Sequence, residues 1–176
     1  MSNIGKQRIL VPDNVKIKCN GWKIHAMGKY GQVSINFPIH TQLILERNYL
    51  RILAPYLDSA LYGSLQTKVK AIIHGLSLPY VRSLQFVGVG YRPIIQNDLL
   101  IIRLGYSHEV KLAIPKDLNV TIVKKNNLRI AGSDLESVCQ YAYRVRSFRP
   151  PEPFKGKGIV CLGEKVRRKE GKKKKL

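Results

Sequence analysis

Asn48-Tyr49-Leu50-Arg51-Ile52 returns later in the chain as Asn126-Asn127-Leu128-Arg129-Ile130, with Asn, Leu, Arg and Ile in matching places at an offset of 78. The agreement extends on both sides. Downstream, Leu57 and Ser59 meet Leu135 and Ser137 at the same offset. Upstream, after a one-residue adjustment, Asn20 to Gly28 aligns with Asn97 to Gly105 at an offset of 77, and Ile17, Val33 and Pro38 meet Ile94, Val110 and Pro115. Repeats with periods of about 20–50 residues indicate solenoids. A period near 77 that occurs twice instead indicates two copies of one small domain.

Each copy reads as strands followed by a helix. In the first, Val15 to Lys18 and Trp22 to Met27 are strand-like and joined by Asn20-Gly21, a strong hairpin dipeptide. Gln32 to Asn36 continues the sheet. Leu43, Leu45, Leu50 and Ile52 alternate at period 2 around the polar turn Glu46-Arg47-Asn48. The second copy repeats this with Leu84 to Val89, Leu99 to Leu104, Glu109 to Ile114, then Val120, Ile122, Leu128 and Ile130 around Lys124 to Asn127. The first helix has an apolar stripe of Leu61, Leu65, Val69, Ile72 and Ile73, with Gly75 as its stop. The second has Leu135, Val138, Cys139, Ala142 and Val145, a capping-box spacing from Ser133 to Glu136, and Pro150-Pro151 as its end. Each helix must cover its own sheet. The expected fold is therefore α+β: a tandem duplication of a small antiparallel sheet packed on one helix, with a basic C-terminal extension. The expected domains are 1–81, 82–150 and a basic loop and tail over 151–176.

The 176 residues include 31 Lys and Arg against 11 Asp and Glu, a net charge of +20. Charged residues total 24%, close to the soluble norm, so only the balance is unusual. With 44% hydrophobic residues the chain can form a core. No apolar run reaches the roughly 18–20 residues of a membrane span, and no basic amphipathic helix with an aromatic face is evident, so no membrane partner is expected. A surplus of +20 favours a polyanion, and nucleic acid binds such a chain by releasing counterions. Residues 141–176 alone hold 13 basic and 3 acidic side chains. Cys19, Cys139 and Cys161 are too scattered for a disulfide framework, and a reducing compartment is the simplest setting.

The residue types do not assemble into chemistry. There is no C-x-x-C pair and no H-x-x-x-H pair among His25, His40, His74 and His108, so no metal or other cofactor is expected. Ser107-His108-Glu109 has triad residue types, but neighbours on an extended chain point to opposite faces and cannot converge. Gly88-Val89-Gly90 lacks the third glycine of a dinucleotide loop, and Phe154 to Gly158 lacks the P-loop pattern. No enzyme and no small-molecule substrate is indicated. What remains is recognition. Lys155-Gly156-Lys157-Gly158 follows the stiff arm Pro150-Pro151-Glu152-Pro153. Glycine lets backbone approach a ligand, its N–H groups can face phosphates, and the lysines supply charge. Phe154 beside them reads as packing inward. Arg144, Arg146 and Arg149 near the helix end extend the basic surface, and the tail adds Arg167, Arg168, Lys169, Lys172 and Lys173.

Pro151-Glu152-Pro153-Phe154-Lys155-Gly156-Lys157-Gly158-Ile159 closely resembles the C-terminal motif of bacterial-type ribosomal protein six of the large subunit, with Phe154 where that family usually has tyrosine. Ser2 to Val15, Phe86 to Arg92 and Gly105-Tyr106-Ser107-His108 also agree, and the resemblance covers nearly the whole chain. It implies two related α+β domains, no catalysis, and binding to large-subunit ribosomal RNA mainly through the second domain. It also implies neighbouring large-subunit proteins as partners and a place near the sarcin–ricin loop and stalk base, where translation factors act. Departures fall in the first domain, at Asn3 and at Gln66, Lys70 and Ala71, where the family usually carries an Arg and an Asn pair. Abundant Ile, Lys, Tyr and Asn point to an AT-rich organelle genome. With no presequence visible, a mitochondrial ribosome is expected ahead of a plastid or bacterial one. The competing function is a free-standing basic nucleic-acid-binding or regulatory factor.

Overall fold

The computed structural model describes residues 7–39, 41–53 and 58–171. Asn3, residues 54–57, and Lys172 and Lys173 of the lysine run lie outside the described residues. The chain is α+β and divides into two compact units, Met1–Tyr80 with Ser133–Leu135, and Val81–Gly132 with Glu136–Leu176. In the first, strands β1 (Ile9–Leu10), β2 (Lys16–Asn20), β3 (Lys23–Gly28), β4 (Gly31–Asn36), β5 (Gln42–Glu46) and β6 (Tyr49–Leu53) precede helix α1 (Ser59–Ser77). They form two antiparallel sheets, ordered β2-β3-β4 and β1-β6-β5. The second run of elements is β7 (Tyr80–Val87), β8 (Arg92–Gln96), β9 (Leu99–Arg103), β10 (Val110–Ala113), β11 (Leu118–Lys124), β12 (Asn127–Gly132), α2 (Leu135–Ser147) and β13 (Gly158–Cys161). Its sheets are ordered β10-β9-β8 and β11-β12-β7-β13. This is the first arrangement with one strand added. β7 stands beside β12 as β1 stands beside β6, and β13 covers the other edge of β7.

The duplication is real, but its offset changes in more steps than the single one from 77 to 78. Backbone hydrogen bonds identify equivalent residues. Val11 N–H donates to the Asn48 carbonyl at 2.7 Å, and Phe86 N–H donates to the Asn126 carbonyl at 2.8 Å. Phe37 N–H donates to Trp22 at 2.7 Å, and Ile114 N–H donates to Asp98 at 2.9 Å. The offset therefore grows from 75 at β1 to 76 in the β2–β3 hairpin, 77 at β4 and 78 at β5–β6. The hairpin alignment at 77 is thus one residue out. Its turns explain why. Asn20 pairs with Lys23, so the turn is Gly21-Trp22 with Gly21 at φ 57°, rather than Asn20-Gly21. Its counterpart is Asn97-Asp98, both at positive φ, a conformation these two residue types tolerate. At offset 76 the buried Ile24 and Ala26 correspond to the buried Leu100 and Ile102. An offset of 77 would match Ile24 to Ile101 and reverse the faces, because a one-residue slip turns every side chain over.

The cores follow from this register. In the first unit Ile9, Ile24, Leu50 and Ile52 meet α1 through Tyr62, Val69, Ile72, Ile73 and Leu76. The α1 face is rotated from the expected stripe: Leu61 is 54% exposed, and Tyr62 is buried with its hydroxyl donating to the Ile52 carbonyl at 2.6 Å. Gly75 does not stop the helix, which runs to Ser77 and is capped by Leu78, whose N–H reaches the His74 carbonyl. At Gly75 a Cβ would come within 2.8 Å of the Tyr80 ring, so close packing explains this glycine. In the second unit Leu84, Phe86, Leu100, Ile102, Leu128 and Ile130 are buried with Val138, Tyr141, Ala142 and Val145 of α2. Leu135 is at the exposed margin and Cys139 is half-buried, so Tyr141 takes a core place expected of them. Helix α2 begins at Leu135, which puts Asp134 rather than Ser133 just before its first residue. Among the described residues no helix is long and apolar enough to cross a membrane.

Candidate nucleic-acid interface

Residues 158–161, expected within a loop and tail, form β13, and this strand shapes the site. Gly158 pairs with Val87 and Cys161 with Leu84. Ile159 and Val160 are buried, and Leu162 N–H donates to the Ser83 carbonyl at 2.9 Å. Ile159 N–H also donates to the Arg149 carbonyl at 2.9 Å, so both ends of the intervening arm are anchored. Inside the arm, Gly156 N–H donates to the Glu152 carbonyl at 2.9 Å and Glu152 N–H donates to the Lys157 carbonyl at 2.8 Å. These bonds close a tight loop with Phe154 and Lys155 at its tip.

The glycines therefore act differently from the sequence expectation. Gly156 and Gly158 are both buried, and the Gly156 N–H is already used inside the loop. Gly156 has φ 67°, and the Arg168 guanidinium lies 3.3 Å from where its Cβ would be. Gly158 has φ 142°, and its Cβ would lie 2.6 Å from the Pro150 carbonyl oxygen. Both positions require glycine for the loop's own shape. Neither has its backbone open to a phosphate. Lys155 and Lys157, by contrast, are exposed on either side of Gly156.

The tail returns to this loop. Lys169 N–H donates to the Pro153 carbonyl at 3.0 Å, and Arg168 packs at Gly156. Arg168 and Lys169 are exposed there, so the structure brings these two cations to the loop that carries Lys155 and Lys157, and Arg167 is exposed just before them. Phe154 is 55% exposed and does not pack inward as expected. The arginines of the helix end divide. Arg144 is exposed in the last turn of α2. Arg146 Nη2 donates to Glu164 Oε1 at 2.6 Å, with both side chains only 31% exposed. Arg149 Nη1 donates to the Leu104 carbonyl at 2.6 Å, and its guanidinium lies 5.3 Å from the Tyr91 ring centre and 4.9 Å from that of Tyr106. Arg146 and Arg149 are thus half-buried, and each braces another part of the protein. Beside Arg144, burial pushes the Tyr141 hydroxyl up to about 12, against a smaller lowering pull from the Arg144 charge.

A second group was missed in the sequence. The Tyr106 hydroxyl donates to the Phe148 carbonyl at 3.1 Å, and the Tyr106 ring stacks on His108 at 6.1 Å and 14°. The contacts run Tyr91–Arg149–Tyr106–His108. Only the Gly105-Tyr106-Ser107-His108 segment itself could have pointed to them, because the partners are far apart in sequence.

Comparison with known proteins points to one family. Residues 87–160 match the family model described as ribosomal protein L6. The chain is 38% identical to large ribosomal subunit protein uL6 of Caulobacter vibrioides, covering 99% of this chain and all of that protein. It is 38% identical to uL6 of a Synechococcus strain, covering 98% and 97%. It is also 38% identical to uL6c of Spinacia oleracea, covering 97% of this chain and 80% of that protein. With identity of this level along its whole length, the chain belongs to the ribosomal protein L6 family.

Proposed function

We propose that the protein is a structural, non-enzymatic constituent of the large ribosomal subunit. It is held on large-subunit ribosomal RNA and against neighbouring subunit proteins. Its main RNA contact is the surface where the 150–158 arm meets the tail. The observation that carries this reading is the convergence of Lys155, Lys157, Arg168 and Lys169 on one loop, fixed by the bonds of Gly156 and Lys169. Four cations brought to one loop carry a cost of mutual repulsion, which phosphates remove. The test is sedimentation of an extract followed by quantification of this chain per large subunit. One copy per subunit after a high-salt wash is expected. A large soluble pool with sub-stoichiometric association would instead identify a free-standing factor.

Family resemblance supports a place near the sarcin–ricin loop and stalk base, beside the site of translation-factor action. Crosslinking from Lys155 into ribosomal RNA tests that position. The Ile, Lys, Tyr and Asn content supports a mitochondrial ribosome, whereas the relatives named above are bacterial and plastid proteins. Quantifying the chain in purified organelles decides the compartment.

A further inference from the structure

The β3–β4 connection in the first unit is a two-residue turn, Lys29-Tyr30. Its counterpart between β9 and β10 spans residues 104–109 and carries Tyr106 and His108. This longer connection is firmly held. Tyr106 is fixed by its hydroxyl bond to Phe148 and by the Arg149 guanidinium. Arg149 is fixed in turn by the Leu104 carbonyl and by the ring of Tyr91, which is itself buried. The series of planar groups starts in the core and ends on His108, which is exposed. An aromatic ring held parallel to its neighbour and open to solvent is a ready stacking platform.

The neighbouring charges select an anionic partner. Arg92 stands directly across β8–β9 from Arg103, and both are exposed. Like charges directly opposite each other are destabilising. Glu109 neutralises Arg103 at 2.6 Å, and no carboxylate pairs with Arg92 among the described residues. A ligand with a flat π-face and a negative backbone satisfies both features.

We propose that Tyr106 and His108 form a stacking site for an unpaired nucleobase of RNA, with the base placed on the exposed imidazole. This site uses residues other than those of the lysine loop and rests on the RNA-binding reading above. A base within a duplex has its faces covered, so the site selects a bulged, looped or single-stranded nucleotide.

The test uses the full chain and an in-vitro transcript of a bacterial large-subunit ribosomal RNA, with binding measured across a salt series. His108→Ala is expected to lower affinity roughly tenfold, while the slope of affinity against salt stays the same, since stacking releases no counterions. His108→Phe keeps the ring and is expected to restore binding. His108→Lys keeps a cation without the ring and is expected not to. Thermal melts check that all three variants fold. If His108→Ala binds as wild type while Lys155→Ala/Lys157→Ala weakens binding, the stacking site is wrong and the RNA reading stands. If no variant weakens binding, the RNA reading itself fails. Restoration by His108→Lys rather than His108→Phe would show a charge contact and overturn the proposal. So would unchanged RNA affinity with reduced incorporation into subunits, which would indicate a protein contact.

Discussion

Arg146 on helix α2 and Glu164 in the C-terminal tail meet at 2.6 Å, and the second Glu164 oxygen accepts from the Cys161 N–H at 3.3 Å. One carboxylate thus joins the helix to the end of the last strand. The tail is part of the second unit's packing as well as a source of charge. Truncation after Gly163 should leave the fold intact but lower its stability by about 1 kcal/mol, the scale of one partly exposed charge-assisted hydrogen bond. Glu164→Gln should account for most of that loss in denaturant titrations, with the m-value unchanged.

Lys155→Ala with Lys157→Ala should weaken RNA binding and reduce the salt slope by about 2, roughly one for each phosphate contact. Both side chains are exposed, so stability should stay within about 0.5 kcal/mol of wild type. Lys23→Ala with Lys29→Ala removes the same charge from the first unit and should matter less. Equal damage from both pairs would mean that only total charge counts.

Gly158→Val should fail as a folding variant, and its RNA binding would then be uninformative. A Cβ there meets the Pro150 carbonyl at 2.6 Å in a backbone conformation that L residues avoid. A loss of about 3 kcal/mol or more is expected from the clash and the strained φ together. Gly156→Ala faces the flexible Arg168 side chain at 3.3 Å and should cost about 1–2 kcal/mol, mostly from its positive φ. Thermal melts of the two variants would check this order.

Tyr141 should make the protein sensitive to alkali. Burial raises its folded-state value to about 12, above the ordinary 10 that it keeps when unfolded. Its contribution to stability is therefore complete below pH 10 and is lost as pH rises from 10 to about 12, because the unfolded chain releases the proton first. Tyr141→Phe removes this loss. It also removes a buried hydroxyl that has no hydrogen-bond partner among the described residues, so stability at pH 7 should be unchanged or higher. The difference in melting temperature between the two proteins across pH 8–12 is the measurement.

Strands such as β3 and β6 were legible because their faces alternate, as Leu50 and Ile52 do against Arg51. The offset of 77 over the β2–β3 hairpin was not correct, because identity between Ile17 and Ile94 carries no information about which face a residue occupies. The register came instead from the turns. β13 was hidden for a related reason: Gly158-Ile159-Val160 is buried without alternation and follows two lysines, so it reads as part of a basic extension. Charge was legible but its use was not. Arg149 and Arg144 look alike in sequence, yet Arg149 is held by Leu104, Tyr91 and Tyr106, all brought to it by the fold. The lysine loop stood out because its glycines and prolines cluster locally. Phe154 was misread because short-range pattern cannot distinguish an inward aromatic from one left at a loop tip.

The pairing of β13 with β7 also sets an order in time. A chain emerging from its N-terminus completes β1 to β6 and α1 before β7 exists. The second unit cannot close until Cys161 has been made, because the edge of β7 waits for the final strand. The arm gains its shape only when Gly158 reaches Pro150 and Ile159 bonds to Arg149. Its lysines are therefore presented in their final geometry only once β13 has been made and has paired with β7. Fragments released before Cys161 would carry much of the positive charge without the assembled loop.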